Sequence, residues 1–186
     1  NIATMKLAQK DINAAGGVLG KDIEITSADT SDADHADQNT SSAQSVLAKN
    51  PSVVVGPPSS SVVKNTYKQV TSAKVPMISS GATSTAFSGL SDYFFRTIPP
   101  DTVQGAVLGQ IIAQDGVKNL AIAVFNDEYG TSLRDVVVKT VEDAGVNVVY
   151  GEKDTFDPAE TNFSSMVTAI KATNPDATLV IAFDQT

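Results

Sequence analysis

Apolar residues recur along this chain with two alternating periods, one helical and one extended. Between Asn1 and Ala15, Ile2, Met5, Ala8 and Ile12 fall near helical spacing, and Gly16-Gly17 stops the run. From Asp22 to Ala28, Ile23 and Ile25 alternate with other residues and predict a strand. Residues 33–49 read as a polar, alanine-rich helix with Val46 and Leu47 turned inward. Val53, Val54 and Val55 form an unbroken β-branched run, the type of a fully buried strand. A helix over 62–72 and strands over 75–78 and 94–98 follow.

A second series begins at Asp101. Asp101 and Gln104 have capping-box spacing, and Val107, Leu108, Ile111 and Ile112 predict the buried stripe of a helix. Residues 120–125 read as a strand, 131–144 as a helix ended by Gly145, and 146–150 as a strand. Asp157, Pro158 and Glu160 supply an N-cap, a first-turn proline and a third-position glutamate. Phe163, Met166, Val167 and Ile170 continue that helix on one face, Asn174-Pro175 ends it, and 177–183 is the last strand. Strands spaced by helices predict an α/β fold with parallel sheets built from βαβ units.

Pro99-Pro100 is the candidate boundary, because proline fixes φ and makes a stiff connector. Residues 1–98 are expected to form one lobe and 99–186 part of a second, with a crossover near 97–102. The first lobe opens on a helix, where a βαβ lobe normally opens on a strand. The chain also stops just after a strand with no covering helix. Both lobes are therefore expected to be partial, the first lacking its first strand.

Composition narrows the function. The 186 residues are 41% hydrophobic and 18% charged, enough for a real core. A net charge of −8 disfavours nucleic acid, which calls for clustered Lys and Arg. No apolar run approaches the roughly 20 residues of a membrane span, and no signal peptide is visible. With no cysteine, disulfides and thiolate metal sites are excluded, while the compartment stays open. His35, among Asp32, Asp34 and Asp37, reads as part of a solvated helix start rather than a metal site. The glycines at 16, 17 and 20 follow a helix, so they are a helix stop and not a dinucleotide loop. No cofactor and no metal are expected.

The candidate chemistry sits where strands end. Val55-Gly56-Pro57-Pro58 runs into Ser59-Ser60-Ser61, Ile78 runs into Ser79-Ser80-Gly81-Ala82-Thr83, and Ile98 runs into Pro99-Pro100-Asp101. Ligands of open α/β sheets bind beyond the carboxyl ends of the strands. Two of these junctions carry hydroxyls and no acid, base or thiol, which suits holding a small polar molecule rather than converting it. A serine hydrolase would want G-x-S-x-G and a histidine base; the second glycine is lacking, and His35 lies in a different polar segment. A Ser–Lys arrangement through Lys64 has nothing beside it to place an oxyanion.

Six segments in collinear order resemble type I periplasmic binding proteins, closest to the Leu/Ile/Val-binding branch of ABC transporter receptors. They are 11–20, Val55-Gly56 with Ser59-Ser60-Ser61, 78–83, Phe95-Arg96-Thr97 with Asp101 and Gln104-Gly105, Asp127-Glu128-Tyr129-Gly130, and Asn162-Phe163 with Pro175-Asp176-Ala177. The resemblance implies two Rossmann-like lobes that close on an amino acid, branched-chain or related. It implies an ABC permease as partner of the full-length protein, and a periplasmic or extracellular place, with a lipid anchor as one option. The same fold also serves as the ligand-sensing domain of regulators and receptors.

By the same resemblance, Ser60, with Ser59 beside it, would meet the ligand's carboxylate, and Gly81, Ala82 and Thr83 would hold its head group. Each has a plainer reading. The serines suit a helix cap, and 79–85 suits an ordinary Ser/Gly turn. Tyr129 could close over the ligand or simply stack at a helix start. Phe183 aligns with a position that is often tyrosine in the family; the ring remains and one polar contact is lost. Thr97, Ile98, Pro99, Pro100 and Asp101 would be the hinge. The family's ammonium-binding acid would lie beyond Thr186, and neither Asp184 nor Glu128 is assigned that role.

Overall fold

A computed structural model describes residues 2–183. Asp184 lies outside the described residues. The elements run α1 (Ile2–Ala14), α2 (Ala36–Leu47), β1 (Val54–Val55), α3 (Ser60–Ser72), β2 (Met77–Ser79), a 3-10 turn (Thr85–Phe87) and β3 (Phe94–Arg96). Then come α4 (Asp101–Gln114), β4 (Asn119–Val124), α5 (Glu128–Asp143), β5 (Asn147–Tyr150), α6 (Ser164–Ala172) and β6 (Ala177–Ile181). Two three-stranded sheets result, ordered β1-β2-β3 and β5-β4-β6, and every pairing is parallel. The α/β class with parallel sheets expected from the pattern is the fold observed.

Each sheet carries its own core. Val63, Val70, Met77, Phe87 and Phe94 pack in the first half. Leu120, Ile122, Val124, Leu133, Val137 and Val141 pack in the second. The central strand β4 is buried at five of its six residues, as its unbroken apolar run requires.

Several expectations are corrected. No strand forms over 22–28. The Ile23 N–H donates to Asn13 Oδ1, and the Ile23 carbonyl accepts from Gln9 Nε2 and Asn13 Nδ2. Side chains of α1 thus take the groups that a sheet neighbour would use. Val53 and Val55 are half-exposed, not buried, because β1 pairs on one side only, with β2. Asp101 does not cap α4: Pro100 holds the N-cap position without a side-chain bond, and Asp101 is the first helical residue. The buried face of α4 is carried by Asp101, Gly105 and Gly109, while Val107 and Ile111 are half-exposed.

Helix α5 begins at Glu128 and not at 131, because Asp127 caps it by accepting the Gly130 N–H. Helix α6 begins only at Ser164. Asp157 makes its turn, accepting the Ala159 N–H, but Glu160 then accepts the N–H groups of Thr161 and Asn162. Those bonds hold an irregular turn where the sequence pattern predicts helix. The last strand stops at Ile181, short of 183.

Candidate functional site

Beyond β1 and β2 the chain makes two loops that are built into each other. Ser79 is fully buried, donates through Oγ to the Pro57 carbonyl at 2.6 Å, and accepts the Ala82 N–H. Gly81 lies so close that a Cβ there would stand 2.7 Å from the Pro58 carbonyl oxygen. Ser60, also buried, accepts the Ser84 N–H through Oγ at 3.2 Å. The first and second serine loops are therefore one hydrogen-bonded unit.

Within that unit the three serines at 59–61 differ. Ser59 is the N-cap of α3 and accepts the Val62 N–H. Ser60 faces the second loop. Ser61 reaches the second half of the molecule, donating to Asp127 Oδ2 at 3.0 Å and accepting the Glu128 N–H. The capping reading holds for Ser59, and Ser60 is left as the residue that joins the loops.

Ala82 and Thr83 are buried beside Ser60's partner. The Arg96 guanidinium donates through one nitrogen to the carbonyls of Ala82, Thr83 and Ser84, and through the other to Ser88 Oγ. A cation under three consecutive carbonyls fixes the loop's curvature. The pattern singled out Arg96 only as part of a motif. Its target lies 12–14 residues away, and no local signal announces it.

The crossover is pinned to the same loop. The Thr97 N–H donates to the Ser79 carbonyl, and the Asp101 N–H donates to the Thr83 carbonyl. Thr97 and Pro99 are exposed, Ile98 and Pro100 half-buried, and Asp101 fully buried. Both carboxylate oxygens of Asp101 and the hydroxyl of Thr83 have no hydrogen-bond partner in the protein. Buried carboxylate oxygens are rarely left without a hydrogen-bond partner, so the position of Asp101 at the loop is the strongest functional signal here. The capping-box spacing gave Asp101 a different role and hid this one.

Tyr129 stands in the first turn of α5 and stacks on Phe183, with ring centroids 5.6 Å apart and planes 19° apart. Phe125 meets Phe183 edge-on at 4.9 Å. Burial pushes the Tyr129 phenol up; Gln104 at its hydroxyl opposes this, and the charges of Asp101 and Asp127 add to it. The structure thus brings Ser60, Gly81, Ala82 and Thr83 together at one place. It puts Tyr129 and Phe183 together at another, with Asp101 in the electrostatic reach of the tyrosine.

Two apolar clefts lie elsewhere, against β4, β6 and α6. One is lined by Tyr150, Phe156 and Met166, the other by Phe163, Val167 and Val180. Neither contains a residue of the serine loops. Among the described residues no group of acids and histidines could hold a metal ion, and no helix is long and apolar enough to cross a membrane.

Comparison with known proteins gives the family. The sequence signature described as periplasmic binding protein matches residues 2–186. The chain belongs to the periplasmic binding protein family. It is 33% identical over 168 residues to a leucine-, isoleucine-, valine-, threonine- and alanine-binding protein of Pseudomonas aeruginosa, covering 89% of this chain and 44% of that one. Its fold matches a leucine-binding protein of Thermotoga maritima with a TM-score of 0.86 at 18% identity, over 95% of this chain and 49% of the other. It also matches a solute-binding protein of an ABC transporter from R. palustris, solved with 4-hydroxybenzoate, with a TM-score of 0.85 at 22% identity. That match covers 96% of this chain and 48% of that one. The chain spans about half the length of the relatives it matches.

Proposed function

We propose that this periplasmic binding protein is a solute receptor of an ABC importer, working outside the cytoplasm, that captures a small amino acid between two lobes. The lobes are residues 1–98 and 99–186, joined by a crossover at 97–102 that acts as hinge. The observation that carries the reading is the buried, unpartnered Asp101 carboxylate beside the Ser60–Ser84 unit. A hydroxyl at a helix N-terminus suits a carboxylate, and the unpaired buried carboxylate of Asp101, expected only as a hinge residue, suits an ammonium, which it would share with the acid expected beyond Thr186. The two together suit the two ends of a zwitterion. Tyr129 and Phe183 would then cover the side chain from the second lobe, and hinge closure would bury the ligand. The family's role is binding, so capture without turnover is the reading, with a membrane permease as the recipient.

The stacked Tyr129–Phe183 pair favours one second reading, an aromatic carboxylate held through the same Ser60 hydroxyl. A thermal-shift panel on the full-length protein separates the two. L-leucine, L-isoleucine and L-valine should raise the melting temperature by mass action. A rise with 4-hydroxybenzoate alone would transfer the assignment to aromatic acids. A flat response to both classes would sink the receptor reading for these solutes. Ser60→Ala and Thr83→Ala should each weaken binding by about 1–3 kcal/mol. Asp101→Asn should weaken amino acids and spare ligands that lack an ammonium.

A further inference from the structure

The first turn of α5 touches the first half of the molecule through side chains that no ligand contact requires. Glu128 uses both carboxylate oxygens across the divide: Oε2 meets Lys64 Nζ at 2.7 Å, and Oε1 accepts from Ser84 Oγ at 2.7 Å. Asp127 Oδ2 accepts from Ser61 Oγ, which in turn accepts the Glu128 N–H. One turn further on, Ser132 Oγ accepts the Thr85 N–H at 3.0 Å. The partners in the first half are the N-terminal turn of α3 and the end of the Arg96-clamped loop, the two pieces that Ser60 joins.

These bonds form one network. Exposed ion pairs are weak when isolated, and Lys64 is 64% exposed. Glu128 is not isolated. Its side chain is 16% exposed and is shared between a cation and a hydroxyl. The Ser84 that donates to it also gives its N–H to Ser60. Moving the second half away would break every bond of the set together, which is how a two-state contact behaves.

We propose that Asp127 and Glu128 form a latch between the two halves. They are positioning residues, which hold the Ser84 loop and α3 in the closed arrangement and set how readily the molecule closes. This rests on the two-lobe reading above. It goes beyond it in assigning part of the closure energy to protein–protein contacts and not to the ligand. The latched arrangement is then populated in the ligand-free receptor, and a ligand adds to a pre-existing bias.

Spin labels are attached at cysteines introduced at the exposed Lys68 and Lys139, any cysteine outside these 186 residues being replaced by serine. The distance distribution between them is read by electron–electron resonance on the ligand-free, full-length protein. The wild type should show a dominant short-distance population. Glu128→Gln keeps the shape of the side chain and should move much of that population to longer distances, as should Lys64→Met. The pair Lys64→Glu with Glu128→Lys should recover the short distance, which a merely structural disturbance would not. Salt near about 1 M, where the screening length falls to about 3 Å, should lengthen the wild-type distance and leave Glu128→Gln unchanged. Distributions that coincide in wild type and Glu128→Gln, or a swapped pair no better than its single variants, would overturn the latch. This readout uses no ligand, so its failure leaves the receptor reading standing. A wild type that is latched yet stabilised by no solute would do the reverse.

Discussion

The Asp127 carboxylate caps α5 and also lies against the first half of the molecule, and that second position removes water from it. Burial pushes its pKa up, while the Gly130 N–H and the Ser61 hydroxyl pull it down and lose. The sign follows from linkage. A folded-state pKa above the ordinary 3.8 means that the folded chain holds this proton more tightly than the unfolded chain. Stability from this group is therefore full below the unfolded value and falls as pH rises through the raised folded one. Asparagine keeps an oxygen for the cap and has no charge to bury. Asp127→Asn should gain on the wild type as pH goes from acid to neutral, seen as a widening difference in melting temperature. Parallel melting curves across that range would contradict the burial argument. Ser61, the partner of Asp127, shows where local pattern ends. Three serines in a row look alike on paper. Ser59 could be read as a cap from its position before a helix. Nothing nearby in sequence distinguishes Ser61, whose partner is 66 residues away.

Helices α4 and α5 pack closely against each other, and glycine permits it. A Cβ at Gly105 would stand 2.6 Å from Val136 Cγ1, and one at Gly109 would stand 2.7 Å from Thr140 Cβ. Gly105→Ala should therefore cost about 1–3 kcal/mol by overpacking, measured by chemical denaturation. Val136 Cβ would itself lie 2.7 Å from the new methyl, so removing the whole facing side chain in the double variant Gly105→Ala with Val136→Gly should cost less than the sum of the two single changes. Strict additivity would mean that the helices shift apart freely. The same helix explains one misreading of the pattern. Of the predicted stripe, Leu108 and Ile112 do pack on the core, while Val107 and Ile111 are half-exposed. The helix also packs partly through residues with no side chain, and hydrophobic periodicity is blind to them. The segment over 22–28 fails for the opposite reason. Its alternation is right for a strand, but polar side chains of α1 occupy its backbone, and pairing is a tertiary fact. Alternating strands and helices, by contrast, are local and dense, and they carried the α/β class and the parallel sheets.

At the scale of the whole molecule, the proposed closure would depend on how little freedom the crossover has to lose. Thr97 and Asp101 are tied by backbone bonds to Ser79 and Thr83, and between them stand Ile98, Pro99 and Pro100. Pro100 accepts the Val103 N–H and starts α4, with φ near −72°. On the two-lobe receptor we propose, two prolines would restrict the open ensemble before any ligand arrives, and the hinge would move as a stiff strap. Replacing both with glycine leaves no contact that requires a proline ring at the exposed Pro99, yet it enlarges the set of open conformations that closure must give up. Each Pro-to-Gly change should cost roughly 0.4–1 kcal/mol through that entropy. The double variant Pro99→Gly with Pro100→Gly should then bind whichever solute stabilises the wild type about fourfold to thirtyfold more weakly. Small-angle scattering should show a broader ligand-free form and a bound form of unchanged size. Calorimetry should place the loss in the entropy of binding. Affinity within about twofold of wild type would mean that the crossover is already rigid without its prolines. Closure would then be governed by the contacts at the first turns of α3 and α5 alone.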